Sequence, residues 1–187
     1  CHLEQIPFVI LALAERPDAR KALFDAIQTI EAALHSIEET PHVPASSARG
    51  IEGACAAAHF RGLAALFADS LGFKGRNRRP PRDPVNAALS LAYTMLHFDA
   101  VRASHAVGLD PLLGFYHRPA HGRESLASDL IEPLRPRADA WVRSMCQDRT
   151  LRAENFSLDK GACLLGKAGR EAFYAGYERF AILPRRW

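Results

Sequence analysis

The stretch GFYHRPAHGRESLASDLIEPLRP, residues 114–136, sets His117 ahead of two carboxylates, Asp129 and Glu132, with Pro133 directly after the second. Imidazole and carboxylate donors drawn from separate segments suit a divalent cation. Mn²⁺ tolerates both donor types, whereas Mg²⁺ prefers oxygen. Asp129 and Glu132 are three residues apart and share one face of a helix. A turn at HGR would let His117 fold back towards them. Pro133 has no N–H to offer the carbonyl of Asp129, so the segment kinks or ends beside both acids. A third anionic ligand has to come from another part of the chain. Glu52 is the candidate, because it stands in the otherwise apolar setting RGIEGACAAA, where an unpaired acid is costly. The spacing also fits a plainer arrangement, with His117 a hydrogen-bonded loop or core histidine and the two acids a solvated helix edge.

A second group of residues suits a polyanion. Arg76, Arg78, Arg79 and Arg82 crowd into RNRRPPR, and the carboxyl end closes with PRRW. Guanidinium forks match phosphate oxygens and contact them without reading base sequence, although an exposed basic loop has the same composition. The formal net charge is only +3, so the basic character is local. Cys1, Cys55, Cys146 and Cys163 show neither zinc-ligand nor disulfide-framework spacing. That usage fits a reducing compartment and a cytoplasmic location. No apolar run reaches the roughly 18 residues of a membrane span, and IPFVILALA at 6–14 reads as a buried helix. The first residue, Cys1, marks the chain as a fragment or a processed product.

The elements that must position these groups are helical. Of the 187 residues, 48% are hydrophobic, enough for one packed domain. Leu3, Ile6, Ile10 and Leu13 recur at helical spacing, as do Leu23, Ile27, Ile30, Leu34 and Ile37 within 19–39. TPHVPASSARG, 40–50, reads as a loop. Residues 51–72 read as an alanine-rich helix stopping at Gly72, with Ala54, Ala57 and Ala58 allowing close approach of a neighbour. FKGRNRRPPR is irregular, because Pro80 and Pro81 remove donors and restrict their neighbours. Asp83 caps a long central helix whose first position is Pro84, and Asn86 anchors the preceding loop. Residues 108–124 form a loop, Ser125 caps a short helix to Glu132, and further helices cover 137–146 and 170–180. The expectation is an all-α fold forming one domain over 1–187, with amino-terminal helices at 1–40, a loop at 41–50 and a helical core at 51–187.

GIEGACAAAHF, GRNRRPPRDPVNAALSLAYTML, GLDPLLGFYHRPAHGRESLASDLIEPLRP, ENFSL and GREAFYAGYE, in this order and spacing, resemble the CRISPR-associated spacer-acquisition integrase family. The resemblance covers about residues 50–180. It implies a largely α-helical catalytic domain that inserts spacers by metal-dependent phosphodiester transesterification. It implies Mn²⁺ or Mg²⁺ held by Glu52, His117 and Glu132, with Asp129 supporting, and a DNA-facing loop carrying Arg76, Arg78, Arg79 and Arg82. Implied partners are DNA (a spacer fragment, the CRISPR repeat and branched DNA), a second copy of the chain, and a small ferredoxin-like adaptation subunit. An inactive DNA-binding or scaffolding relative would share the same motifs. Two departures stand out. The amino-terminal β-sandwich usual in the family is not legible, and the usual tyrosine–phenylalanine pair is His59–Phe60.

Overall fold

The structure of the chain, a computed structural model, describes residues 17–182 apart from positions 41, 43 and 119. The helix expected over Leu3–Leu13 and the PRRW end lie outside the described residues.

Helix α1, Arg20–Glu38, buries Leu23, Ala26, Ile27 and Ile30 along the stripe that the periodicity predicts. Helix α2, Ala45–Ala64, starts inside the segment expected to be loop. Pro44 precedes it in extended backbone (φ −58°, ψ 143°), and the Pro44 carbonyl accepts from the Ala48 amide at 3.0 Å. After Pro44 the residues up to Arg49 are all compatible with a helix, so nothing delays its start. Helices α1 and α2 pack together. They come close at Gly62, where a Cβ would lie 3.1 Å from that of Ala26. Of the three alanines expected to do this, Ala58 is buried while Ala54 and Ala57 are exposed. Helix α2 ends at Ala64; Gly72, the expected stop, instead closes a short 3-10 turn in left-handed backbone at φ 62°.

Helix α3, Pro84–Ala106, is central as expected. Val85, Asn86, Ala87, Ala88, Leu89, Ala92 and Leu96 are buried along it. Asp83 Oδ1 accepts from the Asn86 amide at 2.8 Å, and Pro84 occupies the first turn. Against α3 pack helix α4, Ser125–Ile131, and helix α5, Arg135–Gln147. A 3-10 turn, Glu132–Leu134, joins those two helices at Pro133, so the break beside the acids falls where proline chemistry puts it. Ser125 does not cap α4. Its hydroxyl donates to the Arg118 carbonyl at 3.1 Å, drawing the preceding loop onto the helix.

Among the described residues the fold is all-α apart from one hairpin. Strand β1, Phe156–Asp159, pairs antiparallel with strand β2, Ala162–Leu165, with Phe156 opposite Leu165 and Asp159 opposite Ala162. The tight turn needs positive φ at both central residues, which Lys160 (47°) and Gly161 (81°) supply. Helix α6, Lys167–Ile182, follows. Trp141 stacks on Phe180 at 5.1 Å and meets Phe173 edge-on at 4.8 Å, which locks α6 onto α5. Phe173 is fully buried and contributes about 1.5–3 kcal/mol through apolar burial, while Trp141 and Phe180 are half-buried. Among the described residues no helix is long and apolar enough to cross a membrane.

Candidate metal centre

Asp129, on α4, organises the loop that carries His117. Its Oδ2 accepts the amides of Phe115 (2.7 Å) and Tyr116 (2.9 Å). Its Oδ1 accepts the His117 amide (3.0 Å) and His117 Nδ1 (2.6 Å). The nitrogen facing a carboxylate carries the proton, so Nε2 is left as the lone-pair donor. Burial pulls the Asp129 carboxyl upward, but the bonds from His117, Tyr116 and Phe115 outweigh it and hold the group below its ordinary value. This wrapping requires Gly114. A Cβ there would stand 2.6 Å from Ser125 Cβ and 2.8 Å from the His117 carbonyl oxygen. The loop and α4 therefore touch backbone to side chain with no room for a methyl group.

Glu52 comes from the remote helix α2. Tyr116 reaches across and donates its hydroxyl to Glu52 Oε2 at 2.6 Å. Burial, then the bond to Glu52, pushes the Tyr116 phenol up to about 12. Glu52, Tyr116, Asp129, Glu132 and Pro133, with Ile37 and Ala48, line a cavity of about 380 Å³. His117 stands beside it, its ring edge-on to Tyr116 at 5.5 Å.

Glu132 is buried in the 3-10 turn. Its Oε1 pairs with Arg135 Nη2 at 2.9 Å. Burial raises the Glu132 carboxyl above its ordinary range; Arg135 opposes the rise, Glu52 adds to it, and His117 and Arg78 oppose it. Glu52 and Glu132 line the same cavity, and His117 adjoins it through the Tyr116 ring. Among the described residues no three His, Cys, Asp or Glu side chains are already gathered closely enough to hold an ion. The donor set nevertheless fits one. Two carboxylates with like charge gain from a cation between them, and the imidazole is already turned by Asp129, an arrangement common around histidine ligands.

Behind the site lies a polar array that the motifs did not reveal. Asp139, almost fully buried, accepts from the Tyr93 hydroxyl and is bonded to His59 Nε2 at 2.9 Å. Burial, then Asp139, pushes the Tyr93 phenol well above its ordinary range. The guanidinium groups of Arg76 and Arg135 lie 5.4 and 5.2 Å from the centre of the Tyr93 ring, in cation–π range. His59, which departs from the usual tyrosine, is thus a fully buried partner of Asp139.

The arginine loop is built by Asn86. Its Oδ1 accepts from Arg76 (2.8 Å) and the Asn77 amide (2.9 Å), while its Nδ2 donates to the Gly75 carbonyl (2.9 Å) and Asp83 (2.6 Å). The anchoring role expected of Asn86 and Asp83 is therefore observed. Arg76 also donates to Ser90 at 3.1 Å, so its guanidinium is committed to the scaffold. Arg78, Arg79 and Arg82 are exposed. The hairpin steadies the same loop, since the Cys163 amide donates to the Pro81 carbonyl at 2.7 Å.

The fold and site define a mainly helical domain in which two carboxylates line one cavity beside an imidazole, with an exposed arginine loop elsewhere on the chain. The model of the family described as CRISPR associated protein Cas1 matches residues 6–179, and the chain belongs to that family. A protein of Thermodesulfovibrio yellowstonii named CRISPR-associated endonuclease Cas1 1 is 42% identical over 179 residues, covering 92% of this chain and 56% of its own length. A CRISPR-associated exonuclease Cas4/endonuclease Cas1 fusion of Geobacter sulfurreducens is 44% identical over 137 residues, covering 70% of this chain and 24% of its own length. The chain thus spans little more than half of the first relative and a quarter of the second. The fold matches a chain of a partial Cas6-RT-Cas1–Cas2 complex at TM-score 0.84 and 23% identity, over 98% of this chain and 57% of that one. It matches a casposase bound to integration product at TM-score 0.73 and 22% identity, over 96% and 52%.

Proposed function

We propose that this chain forms the catalytic part of a divalent-metal-dependent DNA integrase and endonuclease that inserts spacers into a CRISPR array. The observation that carries the reading is the convergence of Glu52 and Glu132, 80 residues apart in sequence, on one cavity beside a histidine held by Asp129. Family membership supports it, as do the relatives named as Cas1 endonucleases.

In the reaction the 3′-hydroxyl of an incoming DNA end attacks a phosphodiester at the repeat edge. A new P–O bond forms as the attacking hydroxyl gives up its proton, the old P–O3′ bond breaks, and the departing 3′-oxygen takes up a proton to become a hydroxyl. With water as the nucleophile the outcome is cleavage. Glu52, Glu132 and His117 Nε2 would hold Mn²⁺ or Mg²⁺, which when bound supplies positive charge for the phosphoryl oxygens. Asp129 keeps His117 in the tautomer that presents Nε2. Arg135 offsets the charge of Glu132. Arg78, Arg79 and Arg82 would contact phosphates and place the strand without reading its sequence; Arg76 shapes the loop that presents them. By the same reading the intact protein works as a homodimer with a small ferredoxin-like subunit. Two fold neighbours, one in a partial Cas6-RT-Cas1–Cas2 complex and one a casposase bound to integration product, support DNA and Cas2 as partners.

The test is strand transfer and cleavage on branched DNA with Mn²⁺, Mg²⁺ or chelator, using the intact protein and its His117→Ala variant. Activity that needs metal and vanishes in the variant supports the enzyme. DNA binding without strand transfer, unchanged by His117→Ala, identifies a scaffolding relative instead.

A further inference from the structure

The turn of α2 that carries Glu52 has open space beside both of its glycines. Gly50 and Gly53 flank the acid, and a Cβ built at either meets nothing within 4 Å. Gly53 and Ala54 are exposed. Glycine lowers helix stability by about 1 kcal/mol relative to alanine, and a free glutamate side chain samples several rotamers. An acid on such a turn is poorly placed to join a site assembled from another part of the chain. The bond from Tyr116 is the contact that reaches it from the His117 loop.

We propose that Tyr116 is a positioning residue that aligns Glu52 with His117 in the cation site; the inference rests on the metal-dependent reading above. The geometry favours a brace over a plug. The Tyr116 amide is fixed by Asp129 Oδ2 at 2.9 Å, and its ring lies edge-on against His117 at 5.5 Å. The hydroxyl therefore projects from a backbone already tied down on both sides of it, by the amides of Phe115 and His117. It engages only Oε2 of Glu52 in the hydrogen bond the structure shows, and a carboxylate retains its second oxygen for a cation. Asp129 thus sets two candidate ligands at once. It orients His117 directly, and it orients Glu52 through the amide and hydroxyl of Tyr116, across 64 residues of sequence.

The experiment is Mn²⁺ titration of the intact protein, followed by the electron paramagnetic resonance signal of free Mn²⁺, for the parent, Tyr116→Phe, Glu52→Ala and the double variant. Phenylalanine keeps the ring against His117 and removes only the hydroxyl. The expected result is an affinity lower by about 10–100-fold in Tyr116→Phe, no further loss when the same change is made on Glu52→Ala, and an unchanged thermal midpoint. A merely structural tyrosine would lower the midpoint and weaken binding equally in both backgrounds, and that result overturns the proposal. Unchanged affinity in Tyr116→Phe overturns it, as does tighter binding, which would make the hydroxyl a plug. If the parent binds Mn²⁺ and loses it in His117→Ala while Tyr116→Phe is silent, this inference falls and the metal-dependent reading stands. If the parent binds no Mn²⁺, both fall.

Discussion

His117 Nδ1 and Asp129 Oδ1 lie 2.6 Å apart, and the same carboxylate takes three consecutive backbone amides from Phe115 to His117. One side chain therefore fixes both the path of the loop and the tautomer of the imidazole. Asp129→Asn replaces one acceptor oxygen with a donor that must face an N–H group. The expected outcome is Mn²⁺ affinity lower by about 10–100-fold, with DNA affinity in chelator unchanged. Retained Mn²⁺ affinity would mean that His117 keeps its orientation without Asp129.

The arginine loop separates into two kinds of residue. Arg78 and Arg79 are exposed, so removing both should flatten the dependence of log K on log salt by about two units at most. Arg76→Ala should leave that slope unchanged but destabilise the fold. It strips hydrogen bonds from buried Asn86 and from Ser90, a loss on the order of 1–3 kcal/mol. Filter-binding across a salt series and thermal unfolding read the two effects apart. A slope change in Arg76→Ala would place that guanidinium on DNA after all.

Gly114→Ala tests whether the loop must touch α4 this closely. Its Cβ would overlap Ser125 and the His117 carbonyl, so the loop has to retreat from Asp129. Strand transfer should fall along with Mn²⁺ affinity, while the domain keeps its cooperative unfolding. Full activity in this variant would show that the loop can shift without disturbing His117.

The buried thiols supply a pH-dependent readout. Burial raises Cys55, with Glu52 adding to the rise; burial pushes Cys146 up to about 12; and burial raises Cys163, with Asp83 adding. A raised thiol value means less thiolate at any given pH, and the thiolate is the reactive form. In a Cys1→Ser protein, alkylation at pH 8 should therefore be slow in the folded state and fast in denaturant. The folded-state rate should begin to climb only well above the pH at which a free cysteine ionises. Rapid labelling of Cys146 at pH 8 would mean that its surroundings on α5 open readily.

Removing Asp139 probes the array behind the site. Asp139→Ala leaves both His59 and the Tyr93 hydroxyl buried without their shared acceptor. A buried polar group stripped of its partner costs about 1–3 kcal/mol, so the expected loss is of that order for each group. Tyr93→Phe, which removes one donor and keeps the ring beneath Arg76 and Arg135, should cost less. Equal losses in the two variants would mean that the Asp139 bonds add little beyond packing.

Much of this protein is decided by short-range chemistry and is readable along the chain. Asp83 and Pro84 start α3 because a capping carboxylate and a missing amide act within one turn. Pro80 and Pro81 keep the arginine loop irregular, and Pro133 breaks the chain beside Asp129 and Glu132, for equally local reasons. The stripe of Leu23, Ile27 and Ile30 places α1 on the core by its period alone. The hairpin and the early start of α2 were less legible. Four-residue strands carry little pattern, and the proline- and serine-rich composition at 40–50 masks five helix-compatible residues after Pro44. What tertiary structure alone decided is which distant side chains meet. Tyr116 on Glu52, His59 on Asp139, and the inward turn of Arg76 over the Tyr93 ring join residues from 17 to 80 positions apart. No spacing rule links such pairs, because helix packing, not the local backbone, sets the distance between them.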